Sequence, residues 1–414
     1  MNQRQLRVTI IGLHYSPEPS GNAPYTTGLA EGLIRQGHSV TVITGYPHYP
    51  AWRRHDDYRG WASKETINGV SVTRLRHHIP TKPTGLARLH MEISFGFRLL
   101  FTTWNRPDVV IFVSPALFST AFGVLRAKIG YRRPSVGIWV QDLYSRGIVE
   151  TSAPGGLTAK LLTYFESAVL RSANGVVAIH DRFRQYLVDV LNLETSSVVV
   201  IRNWTHLPAA PSEGQKSFRR RMGWGPDDFV VLHAGNMGMK QGLENVVNAA
   251  LVAEQKGSNV RFVLMGDGHQ RSTLEAAAEG LIKLSFVDSL PDEEFQLALT
   301  AADALLVNEL PGVRDMSVPS KLTSYFNAGV PVIAATDEGS VTSVEVEASG
   351  GGIRVPAGDP YALVDSAEAL ADDHAHARNL GLQGLRFRLD TLAEATSINQ
   401  YDDFVANLAS SRSW

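Results

Sequence analysis

Short runs of Val and Ile alternate along the chain with longer segments in which apolar residues recur every three to four positions. In the first half, the apolar runs are RVTIIGL, SVTVIT, DVVIFV, SVGIWV and GVVAI. Such continuous runs are typical of parallel strands buried on both faces, and the spacers between them fit connecting helices. The pattern therefore predicts an α/β fold built on a doubly wound parallel sheet.

The alternation begins again after a Pro-containing segment at residues 206–214, HLPAAPSEG. The later apolar runs are FVVLHAG, RFVLMG, LSFVDSL, DALLVNE and PVIAA. We therefore predict two Rossmann-like domains, at residues 1–205 and 206–395. A final helix at 396–414 is expected to dock on a neighbouring element through one apolar stripe, which includes Ile398, Tyr401, Phe404, Val405 and Leu408.

The composition narrows the classes of protein and of site. The chain has 414 residues, of which 44% are apolar and 19% charged, as is normal for a globular protein. Lys and Arg number 39 against 41 for Asp and Glu, so no overall positive charge is available to attract nucleic acid. Because cysteine is absent, thiol nucleophiles, disulfides and Cys-ligated metals are excluded.

Two loops place glycine just before a helix, an arrangement that binds phosphate groups through backbone amides. The first contains Gly21 and Asn22, although a simple tight turn would also explain the glycine. The second begins at Gly235 and places Lys240 at the mouth of the following helix, where an ammonium group could neutralise a diphosphate. An ordinary surface lysine is the alternative interpretation.

A third candidate is the helix predicted to begin at Ser320. Lys321 lies in its first turn, where a positive charge opposes the helix dipole unless an anion is bound there. A plain helix cap would explain Ser320 but not Lys321. The sequence therefore predicts an anion at this helix terminus.

Candidate acid–base residues follow strands of the first half. Asp142 comes after a buried strand and is a candidate base or acceptor of a substrate hydroxyl, with helix capping as the alternative. His14 is a further candidate, although a lone histidine is often structural. No D-x-D pair, the usual metal ligand on a nucleotide-sugar diphosphate, occurs in the chain, so Lys, Arg and helix termini are expected to meet that charge.

Together these segments resemble family 4 glycosyltransferases of the GT-B fold, and in particular the branch that makes colanic acid and other exopolysaccharides. The resemblance covers nearly the whole chain and rests on residues 14–52, 201–204, 235–246, 265–275 and 318–333. It implies two Rossmann-like domains facing a central cleft, with a C-terminal helix that crosses back to the N-terminal domain. It also implies retaining transfer of a sugar from a UDP or GDP sugar to a hydroxyl, without a metal or other cofactor.

The resemblance assigns the acceptor to the N-terminal domain and the nucleotide sugar to the C-terminal domain. Lys240 and Asp142 are implied to be catalytic, and Asp142 would face the acceptor beside His14 and Glu18. The leaving phosphate is implied to take the acceptor proton, so that the protein supplies positioning and charge. The implied donor-binding residues are Gly21, Asn22, Gly235, Asn236, Lys240, Gly266, Asp267, Val287, Leu290, Asp315, Ser320, Lys321 and Leu322.

Two positions depart from the pattern of the wider family. An arginine usually stands where this chain has Asn236, and the family's E-x7-E carboxylates fall at Met316 and Ser324. We expect Asp315 and Glu309 to replace those carboxylates at the hydroxyls of the donor.

Residues 74–104 mix cations with Leu, Phe, Met and Trp, and this predicts a surface that rests on an anionic membrane and collects a lipid-linked acceptor. An ordinary packed helix is the alternative. The start of the chain does not resemble a secretory signal, and the 17-residue uncharged run from Val109 to Leu125 reads as a strand and a helix. The predicted location is therefore cytoplasmic, with peripheral contact at the inner face of the plasma membrane. A glycan is the other class of acceptor that we consider.

Two other functions fit the same architecture. A nucleotide-sugar epimerase would consume the donor without any acceptor, and a non-catalytic protein would only bind the nucleotide sugar. Dependence on an acceptor separates the transferase from the first, and hydrolysis of the donor separates both enzymes from the second.

Overall fold

The computed structural model describes residues 4–19, 21–49, 51–55, 57–81, 85–130, 133–145, 156–204, 210–211, 213–313 and 320–411. Contacts between residues divide the chain into two compact units. The first unit contains Met1–His206 together with Glu394–Trp414, and the second contains Leu207–Ala393. The final helix therefore belongs with the N-terminal part of the chain.

The first unit is built on a sheet with strand order β3-β4-β2-β1-β5-β6-β7-β8. Its strands are β1 (Arg7–Ile11), β2 (Ser39–Gly45), β3 (Ala62–Ile67), β4 (Val70–Leu75), β5 (Val109–Val113), β6 (Ser135–Val140), β7 (Gly175–Ala178) and β8 (Val198–Val200). Its helices are α1 (Ala23–Arg35), α2 (Gly85–Phe101), α3 (Leu117–Ile129), α4 (Leu157–Arg171), α5 (Asp181–Asp189) and α14 (Glu394–Ser410). All five residues of β5 are buried, as expected for a strand covered on both faces.

One edge strand differs from the predicted parallel pattern. β3 pairs antiparallel with β4, whereas the other pairs of neighbouring strands in this sheet are parallel. The two strands are joined by Asn68 and Gly69, which both have positive φ angles, 47° and 82°. Asn-Gly in this conformation makes the tight turn of a β-hairpin, and it therefore reverses the chain.

Helix α14 packs closely on the first unit because glycines make room for it. A Cβ atom at Gly137 of β6 or Gly175 of β7 would lie 2.9 Å from the ring of Phe404, and one at Gly32 of α1 would lie 2.5 Å from Ile398. The apolar stripe predicted for this helix is buried. A buried hydrogen bond of 2.6 Å between His38 and Asp402 adds a polar contact to this packing.

The second unit is built on a parallel sheet with strand order β11-β10-β9-β12-β13-β14. Its strands are β9 (Phe229–Ala234), β10 (Val260–Met265), β11 (Leu284–Val287), β12 (Ala304–Asn308), β13 (Val332–Ala335) and β14 (Gly352–Val355). Its helices are α6 (Gln215–Arg221), α7 (Glu244–Lys256), α8 (Arg271–Ala277), α9 (Asp292–Ala301), α10 (Ser320–Ala328), α11 (Val341–Ser349), α12 (Pro360–Asp372) and α13 (His374–Asp390). The predicted doubly wound α/β architecture is confirmed in both units.

Each sheet has one switch point, a place between two neighbouring strands from which the chain adds further strands in opposite directions. In the first unit this point lies between β1 and β5, and in the second it lies between β9 and β12. Strands β9 and β12 pair only through Ala304 with Val231 and Leu305 with Leu232, so they separate before their carboxyl ends. Ligands of doubly wound sheets bind at such a point.

No helix in the described part of the chain combines the length and the apolar character that crossing a bilayer would require. The uncharged run from Val109 to Leu125 forms strand β5 and the first part of α3, as its sequence predicts.

The Glu92 carboxyl gives the first unit a titratable group inside its core. Glu92 on α2 is 5% exposed, and its Oε2 accepts a hydrogen bond of 2.9 Å from the backbone N–H of Phe118. Burial raises the pKa of Glu92 to about 8. Because an unfolded glutamate titrates near about 4.3, the folded state holds a proton between these two values that the unfolded state releases. The free energy of unfolding therefore falls as the pH rises through this range.

We expect Glu92→Gln to remove this loss of stability at high pH. The amide keeps an oxygen that accepts from the N–H of Phe118, and it carries no charge. At pH 8 the variant should melt at least about 4 °C above the wild type, since about 1 kcal/mol corresponds to a few degrees in a protein of this size. At pH 4.5 the two Tm values should agree. Calorimetry at both pH values tests this, with the exposed Glu194→Gln as the control. Equal Tm values at pH 8 would refute it.

Candidate functional site

Two glycine loops at the carboxyl ends of β9 and β10 pack directly against each other. A Cβ atom at Gly266 would lie 2.1 Å from the carbonyl oxygen of Gly235, and one at Gly268 would lie 2.5 Å from that of Met237. The N–H of Met237 donates to the carbonyl of Asp267 at 2.8 Å. Because only glycine allows this approach, the two loops pack backbone against backbone. The structure thus brings together Gly235, Gly266 and Asp267, three of the predicted donor residues.

The β9 loop is held in place by the buried side chain of Asn308, at the end of β12. Its Nδ2 donates to the carbonyl oxygens of Gln241 and Gly242 at 2.7 and 2.9 Å, and its Oδ1 accepts from Asn245 Nδ2 at 2.9 Å. The side-chain amide of Asn308 therefore binds the loop through its nitrogen and the following helix through its oxygen. The sequence analysis did not identify Asn308, since its partners lie more than 60 residues away.

Lys240 lies in this loop, but not at the mouth of a long helix as the sequence suggested. It belongs to a separate 3-10 turn, Met239–Gln241, and α7 begins only at Glu244. The left-handed Gly242, with φ of 53°, divides the two. The Lys240 side chain is exposed, and its carbonyl oxygen accepts from the N–H of Leu310 at 2.8 Å. The loop thus presents this ammonium to solvent on a fixed backbone.

Lys321, in the first turn of α10, fills the space where β9 and β12 separate. Its Nζ lies 3.1 Å from Nε2 of His233, and a Cβ atom at Gly235 would lie 2.8 Å from its Cε. Burial lowers the pKa of Lys321 to about 8, although nearby Glu309 opposes the shift. Within the described residues, no carboxylate lies at ion-pairing distance from this ammonium. Among the residues that the structure describes, this charge therefore has no ion-pair partner.

His233 is the neutral partner of Lys321. It is fully buried in β9, and burial together with the Lys321 charge places its pKa well below the usual value. Its Nδ1 lies 3.3 Å from the carbonyl oxygen of Leu306, so Nδ1 carries the proton and Nε2 accepts from the lysine. His233 therefore orients the Lys321 ammonium without neutralising its charge. The sequence analysis did not identify His233.

Glu309, one of the two expected replacements for the family carboxylates, is committed to other hydrogen bonds. Its two oxygens accept from the hydroxyls of Thr336 and Thr342, each at 2.5 Å. Burial raises its pKa, and these hydroxyls partly offset the rise. Glu309 therefore acts here as a fixed, buried carboxyl near Lys321. The other expected replacement, Asp315, lies outside the described residues.

The remaining predicted donor residues lie around the same strand ends. Asn236 is exposed, and Val287 is half-buried, with its carbonyl accepting from the N–H of Gly266 at 3.0 Å. Leu290 is half-buried against the core. Leu322 is 1% exposed, so its side chain belongs to the core and only its backbone is available to a ligand. Ser320 begins α10, whose first amides have no partner within the helix.

In the first unit, three predicted or neighbouring residues are linked at the ends of β1, β5 and β6. Nδ2 of Asn22 donates to the Ser114 carbonyl at 3.0 Å, and the Ser114 hydroxyl donates to the Asp142 carbonyl at 3.0 Å. Oδ1 of Asp142 accepts from the N–H of the next residue, Leu143, at 2.9 Å. Gly21, with φ of 70°, makes the turn before α1.

His14 and Glu18 form a second group at the end of β1. Nδ1 of His14 lies 2.7 Å from Oε2 of Glu18, whose Oε1 accepts from the backbone amides of His48 and Tyr49 at 2.8 and 2.9 Å. Burial alone would raise the pKa of Glu18, but these hydrogen bonds outweigh it and lower the pKa. His14, Glu18 and His48 offer atoms within 4.8 Å of one another that could hold a metal ion. Hydrogen bonds already use both Glu18 oxygens.

The chain matches two models of glycosyltransferase domains. Residues 20–204 match a glycosyl transferase 4-like domain, and residues 228–373 match glycosyl transferases group 1. Over 336 residues it is 29% identical to the putative colanic acid biosynthesis glycosyl transferase WcaI of Escherichia coli, covering 78% of this chain and 82% of that relative. A probable glycosyltransferase of Pseudomonas aeruginosa, WbjE, is 27% identical over 67% of this chain and 70% of its own length.

Two solved structures share the fold at low sequence identity. Sucrose-phosphate synthase from Thermosynechococcus elongatus superimposes with a TM-score of 0.73 at 17% identity, over 98% of this chain and 100% of its own. Anabaena HepE, solved in complex with UDP, gives a TM-score of 0.71 at 14% identity, over 96% of this chain and 100% of its own. With two Rossmann-like units, the architecture is that of the GT-B fold.

Proposed function

The chain belongs to family 4 of the glycosyltransferases, and from this premise we propose that it is a retaining, metal-independent enzyme of bacterial exopolysaccharide or cell-surface glycan synthesis. It moves a sugar from a nucleoside diphosphate sugar to a hydroxyl of a glycan or of a lipid-linked acceptor. The observation that carries the proposal is the buried ammonium of Lys321 at the switch point between β9 and β12, which has no ion-pair partner among the described residues.

A diphosphate would supply the counter-ion that Lys321 lacks among the described residues. The first amides of α10 and the exposed Lys240 add further positive potential at the same strand ends. The partly exposed glycines Gly235 and Gly268 let phosphate oxygens approach the backbone closely. We assign the donor diphosphate to this set of groups, whose lysines and helix terminus supply charge that a metal ion would otherwise bring.

In the proposed reaction, the bond from the anomeric carbon to the diphosphate oxygen breaks while the acceptor oxygen bonds to the same face of that carbon. The acceptor proton passes to the leaving diphosphate oxygen, so the protein needs no strong base. Lys321 and Lys240 stabilise the negative charge that develops on the diphosphate. Because both oxygens of Glu309 already accept hydroxyl hydrogen bonds, this carboxyl is poorly placed to attack the anomeric carbon itself.

The relatives suggest the donor series and the pathway to test first. HepE was solved with UDP, and WcaI is named for colanic acid biosynthesis. We therefore propose a UDP sugar as the first donor and an exopolysaccharide repeat as the product, with GDP sugars as the second series. A cytoplasmic location with peripheral membrane contact through α2 would bring the enzyme to lipid-linked acceptors.

The proposal is tested by binding and then by stereochemistry. A thermal-shift series with UDP, GDP, ADP and dTDP, each with magnesium or EDTA, should show one nucleotide that raises the Tm equally in both, because a ligand of the folded state stabilises it by mass action. NMR of the transfer product should then show the anomeric configuration of the donor. Dependence on magnesium, an inverted product, or turnover without an acceptor would each contradict the corresponding part of the proposal.

A further inference from the structure

A cavity of about 550 Å³ opens on the first unit between the chain after β4, the loop after β2 and helix α2. None of the residues assigned to donor or acceptor above lines it. Four of its lining side chains are arginines, namely Arg53, Arg54, Arg76 and Arg98, and Ser94 and His78 lie among them. We call this cavity the arginine pocket. Its volume is within the range of small-ligand sites.

The arginine pocket concentrates positive charge. No described carboxylate lines it, and within the described part of the chain Arg54 and Arg76 form no ion pair. Burial first, and then the charge of Arg76, lower the pKa of Arg98. The charges of Arg76 and Arg98 therefore repel each other, and a bound anion would relieve this repulsion.

Arg74, only two residues before Arg76, has a structural role. It is fully buried, and it is bound by the carboxylate of Glu65 and the carbonyl of Ser16. This pairing also removes Arg74 from the membrane surface predicted from residues 74–104. Arg76, in contrast, is exposed and forms no ion pair with a described acid, so its guanidinium is available to a ligand.

The arrangement of the cations favours a phosphate or pyrophosphate group. Guanidinium groups bind phosphate oxygens through paired hydrogen bonds, and several around one cavity suit a multiply charged anion. Arg98 is held in place, since its Cζ lies 3.6 Å from the ring centroid of Trp61 and its Nη1 donates to the Trp61 carbonyl at 3.3 Å. The hydroxyl of Ser94 on the same helix accepts from the N–H of His78 at 2.8 Å, which ties the chain after β4 to α2.

Beside the pocket, α2 exposes an apolar stripe. Leu86, Ile93, Phe97 and Phe101 are 81%, 40%, 54% and 72% exposed, and their spacing of seven, four and four residues places them on one face. The same helix carries Arg98, so the stripe and the pocket adjoin. A ligand with a phosphate head and a hydrocarbon tail matches both surfaces at once.

We propose that the arginine pocket binds the phosphate or pyrophosphate group of a membrane lipid while the α2 stripe rests in the bilayer. The pocket is thereby assigned to the lipid side of the acceptor, which rests on the proposed function. Binding itself requires neither the donor nor turnover.

Co-sedimentation with vesicles tests the role of the arginine charges in membrane binding. The full-length protein should bind vesicles that contain phosphatidic acid at least about tenfold more strongly than pure phosphatidylcholine vesicles, because each basic residue near an anionic surface contributes about 1 kcal/mol. Arg54→Gln/Arg76→Gln should lose this preference. The control Lys160→Gln/Arg171→Gln removes the same charge from α4 and should keep it. Equal loss in both pairs would overturn the proposal, because net charge alone would then explain binding.

Calorimetric titration with inorganic pyrophosphate tests the pocket without a membrane. A Lys321→Met background weakens the proposed nucleotide site, so that this site contributes less to the pyrophosphate binding measured. Adding Arg54→Gln/Arg76→Gln should weaken pyrophosphate binding at least about tenfold, and unchanged binding would overturn the proposal.

Phe97→Ser/Phe101→Ser separates a lipid from a soluble phosphate compound. This variant should keep pyrophosphate binding and lose vesicle binding at least about tenfold. Retained vesicle binding would overturn the lipid assignment. Because donor binding measured by thermal shift involves other residues, a failed proposed function and a failed arginine pocket give different results.

Discussion

Lys321→Met should lower kcat/KM for the donor by about 100-fold or more and leave the protein folded with an unchanged or higher Tm. The loss follows because one charged contact to a developing anion in a water-poor site contributes about 3 kcal/mol to the transition state. Stability is preserved because methionine fills the same volume while it removes a buried charge that has no described counter-ion. One lost hydrogen bond to His233 offsets part of that gain.

The pH dependence distinguishes an electrostatic role from a packing role. The free wild-type enzyme should lose kcat/KM above a pKa of about 8, because the neutral amine no longer attracts the diphosphate. The variant should lack this alkaline limb. Lys216→Met, which removes an exposed lysine of α6, is the matched control and should behave as the wild type. Wild-type kcat/KM in the Lys321 variant would refute the assignment of the donor site.

Stability should change with pH in the opposite sense to activity. The pKa of Lys321 is lowered in the folded state to about 8, whereas an unfolded lysine titrates near about 10.4. Between these values the unfolded state binds the proton and the folded state does not, so this group makes the free energy of unfolding rise with pH. Alkaline stabilisation with a loss of activity, both absent from Lys321→Met, would link the two effects to one ammonium.

The sequence predicted the architecture well because each of its signals is local. Runs of Val and Ile mark strands such as β5, and a lysine misplaced against a helix dipole identifies Lys321 without knowledge of its neighbours. The hairpin of β3 and β4 has a local signal as well, since Asn68 and Gly69 form a known turn signal, but the sequence analysis assigned no strand to it.

The sequence could not predict contacts between residues that are far apart along the chain. His233 and Lys321 are 88 positions apart, and Asn308 and Gln241 are 67 apart. Neither His233 nor Asn308 stands out in its strand, where each looks like a polar residue that interrupts an apolar run. Their roles appear only when the strand ends converge. The same applies to Glu309, whose hydroxyl partners lie after β13.

Asn308→Asp should destabilise the second unit by about 3 kcal/mol and weaken donor binding at the same time. The substitution keeps the shape of the side chain but replaces its N–H donors with an oxygen that faces the carbonyls of Gln241 and Gly242. Asn308 is 1% exposed, so the new charge is buried and both carbonyls lose their partner. The loop that carries Lys240 should then leave its position, with a loss of donor affinity of at least about tenfold.

Urea unfolding and donor titration on the same samples test this expectation. Lys240→Met should weaken donor binding without changing the unfolding midpoint, because its side chain is exposed, whereas Asn308→Asp should change both. Asn259→Asp, at an exposed position of the same unit, should change neither by more than about 0.5 kcal/mol.

A pH series adds a signature specific to the buried carboxyl. Burial raises the pKa of such a group, so the folded state of Asn308→Asp binds its proton more tightly than the unfolded state does, and the variant regains stability as the pH falls. The protonated carboxyl can also donate one hydrogen bond to a loop carbonyl. The deficit relative to the wild type should therefore be smaller at pH 5 than at pH 8. If stability and donor affinity both match the wild type at pH 8, the amide of Asn308 does not hold the loop.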